Sequence, residues 1–251
     1  MCGTCGCGES ASIRLLGGAA PEHEHEHEHG HGHGRTVILQ QKILAKNDEL
    51  AERNRRWLAG RGILAVNLMS SPGAGKTTLL EAAARHLGGE LEISVIEGDQ
   101  ETALDAQRIE QAGCRVVQIN TGAGCHLDAG MVAAGLRALD PPPGSVVIIE
   151  NVGNLVCPAL FDLGEHSKVV ITSVTEGADK PAKYPRMFAA ADLILVNKMD
   201  LLPYVDFDAG RHAADLATIS PHASVLPVSA TTGDGLAAWH DWLRTRLSGR
   251  P

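Results

Sequence analysis

Short runs of apolar residues alternate along the chain with longer stretches in which apolar and charged residues recur every three or four positions. The runs are four to seven residues long and rich in Val, Ile and Leu. Such runs are typical of strands that are buried on both faces of a parallel sheet. We predict strands at residues 63–69, 93–97, 115–119, 146–150, 169–174, 193–197 and 225–228.

Stretches with helical spacing separate these strands. Helices are predicted at residues 36–58, 76–86, 127–139, 206–217 and 236–247, and Gly60 and Gly62 end the first of them. Strands that alternate with helices indicate βαβ units. The predicted fold class is therefore α/β, with a mostly parallel sheet covered by helices on both faces.

The first 35 residues have a different composition. Three cysteines are followed by a Gly- and Ala-containing stretch and then by alternating Glu-His and Gly-His pairs. Because few apolar residues occur here, we expect the segment to be disordered without metal. The predicted organisation is a metal-binding tail at 1–35 and a folded domain at 36–251.

Composition and charge narrow the choice of partners. The chain has 251 residues, of which 44% are hydrophobic and 3% aromatic, and its formal net charge is −8. A negative charge argues against nucleic acid or an anionic membrane as the main partner. No apolar run reaches the length of a membrane span, and no signal-peptide pattern opens the sequence, so we expect a cytoplasmic protein.

The tail offers two sets of metal ligands. Its thiols favour Zn²⁺, Ni²⁺, Cu⁺ or iron–sulfur chemistry over Mg²⁺, and a cluster would need a fourth ligand. Its imidazoles are mostly neutral near pH 7 and can bind borderline ions. The alternatives are an incidental Cys-rich terminus and an affinity tag. The candidate ligands are Cys2, Cys5, Cys7, His23, His25, His27, His29, His31 and His33.

A phosphate-binding loop is predicted between the first strand and the following helix. Its sequence is Ser-Ser-Pro-Gly-Ala-Gly-Lys-Thr at 70–77, with Ser70 where a Gly is usual. Glycine lets backbone N–H groups approach a phosphate at a helix N-terminus. We expect Lys76 to bind the β- and γ-phosphates and the Thr77 hydroxyl to ligate Mg²⁺. The candidate nucleotide-binding residues here are Gly73, Ala74, Gly75, Lys76, Thr77 and Thr78.

Two acids lie at or just after the ends of strands in the same predicted sheet. Asp99 comes after the second predicted strand, and Glu150 ends the fourth. Carboxylates at these ends can hold Mg²⁺ directly or through water, although a role as a helix cap or turn residue is the alternative. Gly153 can bring a backbone N–H to the γ-phosphate. With Lys76 and Thr77, these two acids form the predicted catalytic set.

A base-recognition motif, Asn-Lys-Met-Asp at 197–200, follows the sixth predicted strand. The Asp200 carboxylate can accept both N–H donors of guanine, whereas adenine would leave the charge unmatched. Lys198 can lie on the purine ring, and Asn197 completes the motif. Ser229 and Ala230 follow the last strand and supply a backbone N–H toward the guanine oxygen. The sequence therefore predicts GTP as the bound nucleotide.

A further ligand set lies within the domain. Cys125 and His126 follow the Gly-Ala-Gly turn at 122–124, and Cys157 follows Glu150 after a short loop. Two thiols and an imidazole suit Zn²⁺ or Ni²⁺, although a buried cysteine and a capping histidine are the alternative. Cys114 is interpreted as core packing.

These motifs resemble the HypB family of hydrogenase nickel-incorporation GTPases. The resemblance rests on Gly-Ala-Gly-Cys-His-Leu-Asp at 122–128, on Glu-Asn-Val-Gly-Asn-Leu-Val-Cys-Pro at 150–158 and on the tail motif at 2–7. It implies that Cys125, His126 and Cys157 form a metal site at or near the interface of a GTP-promoted homodimer. Lys180 or Lys183 would contribute to dimer contacts.

The resemblance further implies a function: GTP-dependent nickel delivery to the large subunit of [NiFe]-hydrogenase, together with a partner nickel/zinc maturation protein. GTP, Mg²⁺, Ni²⁺ and Zn²⁺ are the expected ligands. Two alternatives remain open. One is a nickel or zinc storage protein, and the other is a sibling accessory GTPase that serves urease or a cobalamin enzyme.

Overall fold

The computed structural model describes residues 12–13, 33–99, 104–122 and 124–249, with side chains described from residue 42 onward. The strands in these ranges are β1 (Ser12–Ile13), β2 (Leu64–Ser70), β3 (Ile93–Asp99), β4 (Arg115–Asn120), β5 (Val146–Glu150), β6 (Ser167–Ser173), β7 (Leu193–Asn197) and β8 (Ser224–Pro227). The helices are α1 (His33–Ala59), α2 (Lys76–Leu87), α3 (Leu104–Gln111), α4 (Ala129–Leu139), α5 (Lys180–Lys183), α6 (Pro185–Ala189), α7 (Ala209–Ile219) and α8 (Leu236–Ser248). Short 3-10 helices lie at Cys157–Leu160, Val174–Glu176 and Met199–Tyr204.

All these strands form one sheet in the order β1-β4-β3-β5-β2-β6-β7-β8. Strands β2 to β8 are parallel, and β1 pairs antiparallel with β4. The strand β2 lies between β5 and β6, so the chain connections diverge at its carboxyl end. In open parallel sheets such a point is where ligands bind.

Helices cover both faces of the sheet. Helices α2 and α8 pack on one face, where Leu79 and Trp239 belong to the largest apolar cluster. Helices α1 and α4 cover part of the other face, around Leu58 and Val132. Helices α6 and α7 complete that face, around Phe188. The predicted α/β class with a mostly parallel sheet and helices on both faces is confirmed.

Strand positions agree with the predictions to within two residues, but several helix boundaries differ. Helix α4 begins two residues later than predicted because the Asp128 side chain caps it, accepting a 2.7 Å hydrogen bond from the backbone N–H of Met131. Helix α7 begins at Ala209 for the same reason, with Asp208 as the cap.

Some elements were not predicted. Helix α3 is only eight residues long, and Ile109 is its one buried residue, so its apolar spacing is weak. Helices α5 and α6 are one turn each. Helix α1 begins at His33, inside the predicted tail, and the tail also supplies β1. None of the described helices has the length and apolar character that a membrane span requires.

Candidate nucleotide and metal site

The loop between β2 and α2 has the backbone that phosphate binding needs. Gly73 and Gly75 have φ angles of 76° and 100°, which favour glycine. A side chain on Gly75 would collide with the Asn197 amide. The Lys76 ammonium donates a 2.8 Å hydrogen bond to the hydroxyl of Ser70, and burial lowers the pKa of Lys76. The serine that replaces the usual glycine therefore holds the lysine beside the loop.

Two buried glutamates lie beneath this loop. Glu97 and Glu150 face each other in the register of β3 and β5, and they are 2% and 3% exposed. The Thr77 hydroxyl donates a 2.9 Å hydrogen bond to Oε1 of Glu150. Burial raises the pKa of Glu150 to about 7, against the opposing effects of Lys76 and Thr77. Burial, followed by the charge of Glu150, raises the pKa of Glu97 to about 9.

An open cleft of about 540 Å³ lies above these residues. Asp99, at the end of β3, lines it together with Gly153 from the segment after β5. Gly153 packs tightly on the phosphate-binding loop, since a side chain there would lie 3.1 Å from Cα of Pro72. Both predicted acids and the predicted glycine thus share one cleft with Lys76.

The base-recognition motif is joined to the phosphate-binding loop by Asn197. Its Nδ2 donates a 2.9 Å hydrogen bond to the carbonyl of Ala74, and its Oδ1 accepts one of 3.1 Å from the N–H of Ala230. The Lys198 ammonium donates to the carbonyl of Gly73 at 2.7 Å. One side chain therefore sets the spacing between the phosphate-binding and base-recognition loops.

The carboxylate of the motif is held in place by the last predicted loop. The hydroxyl of Ser229 donates a 2.6 Å hydrogen bond to Oδ1 of Asp200. Ser229 is itself fully buried, so its hydroxyl has a fixed position. The predicted residues Asn197, Lys198, Asp200, Ser229 and Ala230 are therefore brought together.

The domain also brings Cys125, His126 and Cys157 together. Their ligand atoms all lie within 4.8 Å of one another, and Sγ of Cys125 lies 3.5 Å from Nδ1 of His126. The His126 ring packs on Phe161 with a centroid distance of 3.9 Å, and burial lowers the pKa of His126. The imidazole therefore tends to be neutral, the form that binds metal.

The ligand cluster and the nucleotide cleft share structural elements. Cys125 and His126 follow β4, and Cys157 follows β5, whose last residue is Glu150. The side chain of Leu127 packs on Gly98, which also lines the cleft. The strand ends that lead to the three candidate ligands are therefore at or next to the strand ends that line the cleft.

The remaining predicted residues in the described ranges lie outside the nucleotide cleft and the ligand cluster. Lys183 forms a 2.6 Å ion pair with Asp179, and Lys180 lies 5.6 Å from the ring centroid of Tyr184. Cys114 is buried, as its interpretation as core packing requires, and burial raises its pKa to about 11. The tail ligands lie outside the described residues, except His33, which begins α1 and whose side chain is not described.

One known protein family matches most of the folded domain. Residues 64–227 match the family described as CobW/HypB/UreG, nucleotide-binding domain. The hydrogenase maturation factor HypB of Rhizobium leguminosarum bv. viciae is 54% identical over 216 residues, which cover 86% of this chain and 72% of that protein. The chain belongs to the HypB family.

Solved structures of HypB share this fold. The hydrogenase maturation factor HypB of Archaeoglobus fulgidus superposes with a TM-score of 0.76 at 42% identity, and covers 81% of this chain and 100% of its own. HypB of Helicobacter pylori, solved in complex with nickel, has a TM-score of 0.76 at 35% identity, with 82% and 97% covered. The HypB family carries a P-loop nucleotide-binding domain, so nucleotide hydrolysis is the activity class of the family.

The sequence patterns of this HypB-family chain left several residues of the site unnoticed. Glu97 stands inside a strand, and only its neighbour Glu150 across the sheet reveals that two carboxyls meet. Glu176 accepts a hydrogen bond from the Ser71 hydroxyl of the phosphate-binding loop. Glu176 lies in a short 3-10 helix that no sequence pattern predicts. The sequence marks Asn151 only as part of a family segment, although its side-chain amide bonds to Asn67, Leu127 and Val152.

Proposed function

We propose that this chain is a GTP-hydrolysing nickel metallochaperone that supplies Ni²⁺ to [NiFe]-hydrogenase during maturation, in the cytoplasm. The observation that carries the proposal is the position of the Cys125, His126 and Cys157 cluster. It lies on the segments that follow β4 and β5. The end of β5 lines the cleft, and β4 pairs with β3, whose end also lines it. A nucleotide-driven change in those segments would also move the ligands.

Guanine specificity is supported by the fixed carboxylate of Asp200. Guanine presents two N–H donors on one edge, and a carboxylate held by Ser229 can accept both. A pocket built for these donors rejects adenine because the partly buried charge of Asp200 would be left unmatched. The proposed substrate is therefore GTP.

Magnesium fits the residues beneath the phosphate-binding loop. Oε2 of Glu97 and Oε2 of Glu150 are buried and have no hydrogen-bond partner among the described residues. Hard cations prefer such oxygen ligands, and the Thr77 hydroxyl is adjacent. Thr77, Glu150 and Asp99 would hold Mg²⁺, which when bound neutralises charge on the phosphates.

The chain's own residues would then carry out the nucleotide step. Lys76 binds the β- and γ-phosphates, and its hydrogen bond to Ser70 pre-positions the ammonium. Glu150 orients Thr77 and, with Asp99, positions the attacking water. Gly153 lets a backbone N–H approach the γ-phosphate. Slow turnover is expected, because a switch must persist in each state.

Nickel is the proposed cargo of the cluster. Two thiols and one imidazole match borderline ions, and Zn²⁺ is the competing occupant. The H. pylori relative solved with nickel supports nickel as a ligand in this family. Cys2, Cys5 and Cys7 and the tail histidines are proposed as a reservoir that feeds the cluster.

Assembly completes the proposed cycle. Cys125 and Cys157 are partly exposed, so a second copy can approach the cluster. GTP would favour a homodimer, with Lys180 or Lys183 at the contact, and hydrolysis would reopen it. A partner nickel/zinc maturation protein would load the ion, and the hydrogenase large subunit would receive it.

Hydrogenase activation at ample nickel tests this function against metal storage. Under the proposal, Lys76→Ala abolishes activation even when nickel is plentiful, because delivery needs hydrolysis. Lys42→Ala, at an exposed lysine of α1 outside the motifs, is the matched control and should activate normally. Full activation by Lys76→Ala would favour storage and contradict the proposal. Urease activation in the same cells tests the sibling alternative.

A further inference from the structure

Asn151, which follows β5, is fixed to the strand that leads into the phosphate-binding loop. Its backbone N–H donates a 3.0 Å hydrogen bond to the carbonyl of Leu68, and its Nδ2 donates one of 3.3 Å to Oδ1 of Asn67. Both of these residues belong to β2, which ends at Ser70. The side chain of Asn151 is 1% exposed, so these bonds are shielded from water.

The same amide holds both segments that carry metal ligands. Its Oδ1 accepts a 3.1 Å hydrogen bond from the N–H of Leu127, the residue after His126. It also accepts a 3.0 Å bond from the N–H of Val152, which begins the segment leading to Cys157. A carbonyl oxygen has two lone pairs, and both are used here. Displacement of one segment therefore disturbs the bond to the other.

The segment after Asn151 is also the one that contacts the nucleotide cleft. Val152 and Gly153 line the cleft, and Gly153 is packed against Pro72. Movement of this segment to accommodate a γ-phosphate would shift the N–H of Val152, one of the two donors on the Asn151 oxygen. The strand on the other side stays fixed through Asn67 and Leu68.

A second chain of bonds runs from Asn67 to the segment that packs on the His126 ring. Nδ2 of Asn67 donates a 3.1 Å hydrogen bond to Oε1 of Glu165, whose Oε2 accepts a 2.7 Å bond from the N–H of Leu163. Two residues before Leu163, Phe161 packs on the His126 ring. The buried amides and this glutamate therefore connect β2 to His126 from both sides.

We infer that Asn151 is the positioning residue through which the nucleotide state changes the geometry of the Cys125, His126 and Cys157 cluster. The inference rests on the proposed function, since it assumes that nucleotide and nickel binding are coupled. A purely structural Asn151, present only to satisfy buried N–H groups, would affect nickel affinity equally in both nucleotide states. The ratio of the two affinities separates these roles.

The test uses full-length protein in Ni²⁺ buffered by a chelator, with GDP or a non-hydrolysable GTP analogue at saturating concentration. The readout is protection of Cys125 and Cys157 from alkylation, measured by mass spectrometry of the peptides. This readout reports the cluster and not the tail. The half-protecting Ni²⁺ concentration should differ between nucleotides by at least about fivefold in the unmodified protein. In Asn151→Ala the ratio should fall to within about twofold of one.

Asn154→Ala is the matched control. Asn154 belongs to the same segment and contacts the carbonyl of Cys125 at 3.4 Å and the N–H of Val156 at 2.8 Å, and no described bond of its side chain reaches β2. It should shift nickel affinity in both states while the ratio persists. Asn151→Asp keeps acceptor oxygens for Leu127 and Val152 but loses the Nδ2 donor to Asn67, so it should lower the ratio as well.

The outcomes are separable. If the unmodified protein shows no difference between nucleotides, the proposed function itself fails. If it shows the difference and Asn151→Ala retains it, only the role of Asn151 is overturned. Should Asn151→Ala give no folded protein by circular dichroism, Asn67→Ala removes the other end of the same link and must lose the ratio as well. Retention of the ratio in that variant would overturn the inference.

Discussion

The hydroxyl of Thr77 donates a 2.9 Å hydrogen bond to Oε1 of Glu150. The bond joins the first turn of α2 to the end of β5, and the other Glu150 oxygen is buried without a partner among the described side chains. The Thr77 hydroxyl and the Glu150 carboxylate, both suited to a hard cation, are therefore held side by side under the phosphate-binding loop. Their separation is fixed by the fold before any nucleotide arrives.

Removing the Thr77 hydroxyl should raise the Mg²⁺ concentration that GTP hydrolysis requires. Thr77→Val keeps the branched shape but leaves Glu150 without its donor and removes a candidate ligand. We expect the Mg²⁺ concentration for half-maximal GTP hydrolysis to rise by about tenfold, in line with the loss of a hydrogen bond to a charged group. Steady-state phosphate release across a Mg²⁺ titration measures this.

Thr77→Ser is the control for that experiment, because it restores a hydroxyl and should return the Mg²⁺ requirement to within about twofold of the original. An unaltered requirement in Thr77→Val would show that this hydroxyl has no part in metal use.

Base recognition predicts a change of nucleotide preference. Asp200→Asn should weaken GTP binding by at least about a hundredfold, since the two N–H donors of guanine lose the charge of their acceptor. It should favour xanthosine triphosphate, whose additional carbonyl can accept from the new amide. Competition between labelled GTP and unlabelled xanthosine triphosphate measures the switch.

Ser229→Ala provides a graded comparison. It removes the 2.6 Å hydrogen bond that orients Asp200 but keeps the carboxylate. GTP affinity should fall by only about tenfold, with guanine still preferred. Unchanged GTP affinity in Asp200→Asn would place the base pocket elsewhere.

The described cysteines should differ in reactivity. The pKa of Cys114 is raised to about 11 by burial, whereas Cys125 and Cys157 are partly exposed. Alkylation requires the thiolate, and at pH 8 about one thousandth of such a buried thiol is ionised. In metal-free native protein, Cys125 and Cys157 should react with iodoacetamide while Cys114 stays protected until pH rises toward 11. Equal labelling in the native state would contradict the assignment of Cys114 to the core.

Most of the fold could be predicted because its strands have strong local signals. Strand β5 is Val-Val-Ile-Ile-Glu with every residue buried, and its bounds agree with the prediction. Helix ends were less predictable. The apolar spacing continues through Leu127, yet the capping bond of Asp128 starts α4 at Ala129. Helix α3 escaped prediction because Ile109 is its one buried residue.

The site was predictable where a motif fixes residues in sequence, and less so where contacts cross between distant segments. The loop at 70–77 and the motif at 197–200 are continuous in the sequence. The bond from Asn197 to Ala74 spans 123 positions, and no spacing rule predicts it. The link made by Asn151 depends likewise on strand order, which places β5 beside β2.

Coupling between nickel binding and nucleotide binding can be measured from either ligand, because thermodynamic coupling is reciprocal. If GTP alters nickel affinity, nickel must alter the affinity for a non-hydrolysable GTP analogue by the same factor. We predict that saturating Ni²⁺ changes the affinity for the analogue, relative to GDP, by about fivefold or more in the full-length protein. In Cys125→Ser/Cys157→Ser, which keeps the tail ligands, that change should disappear. Identical analogue-to-GDP affinity ratios with and without Ni²⁺ in the unmodified protein would show that the two sites are not coupled.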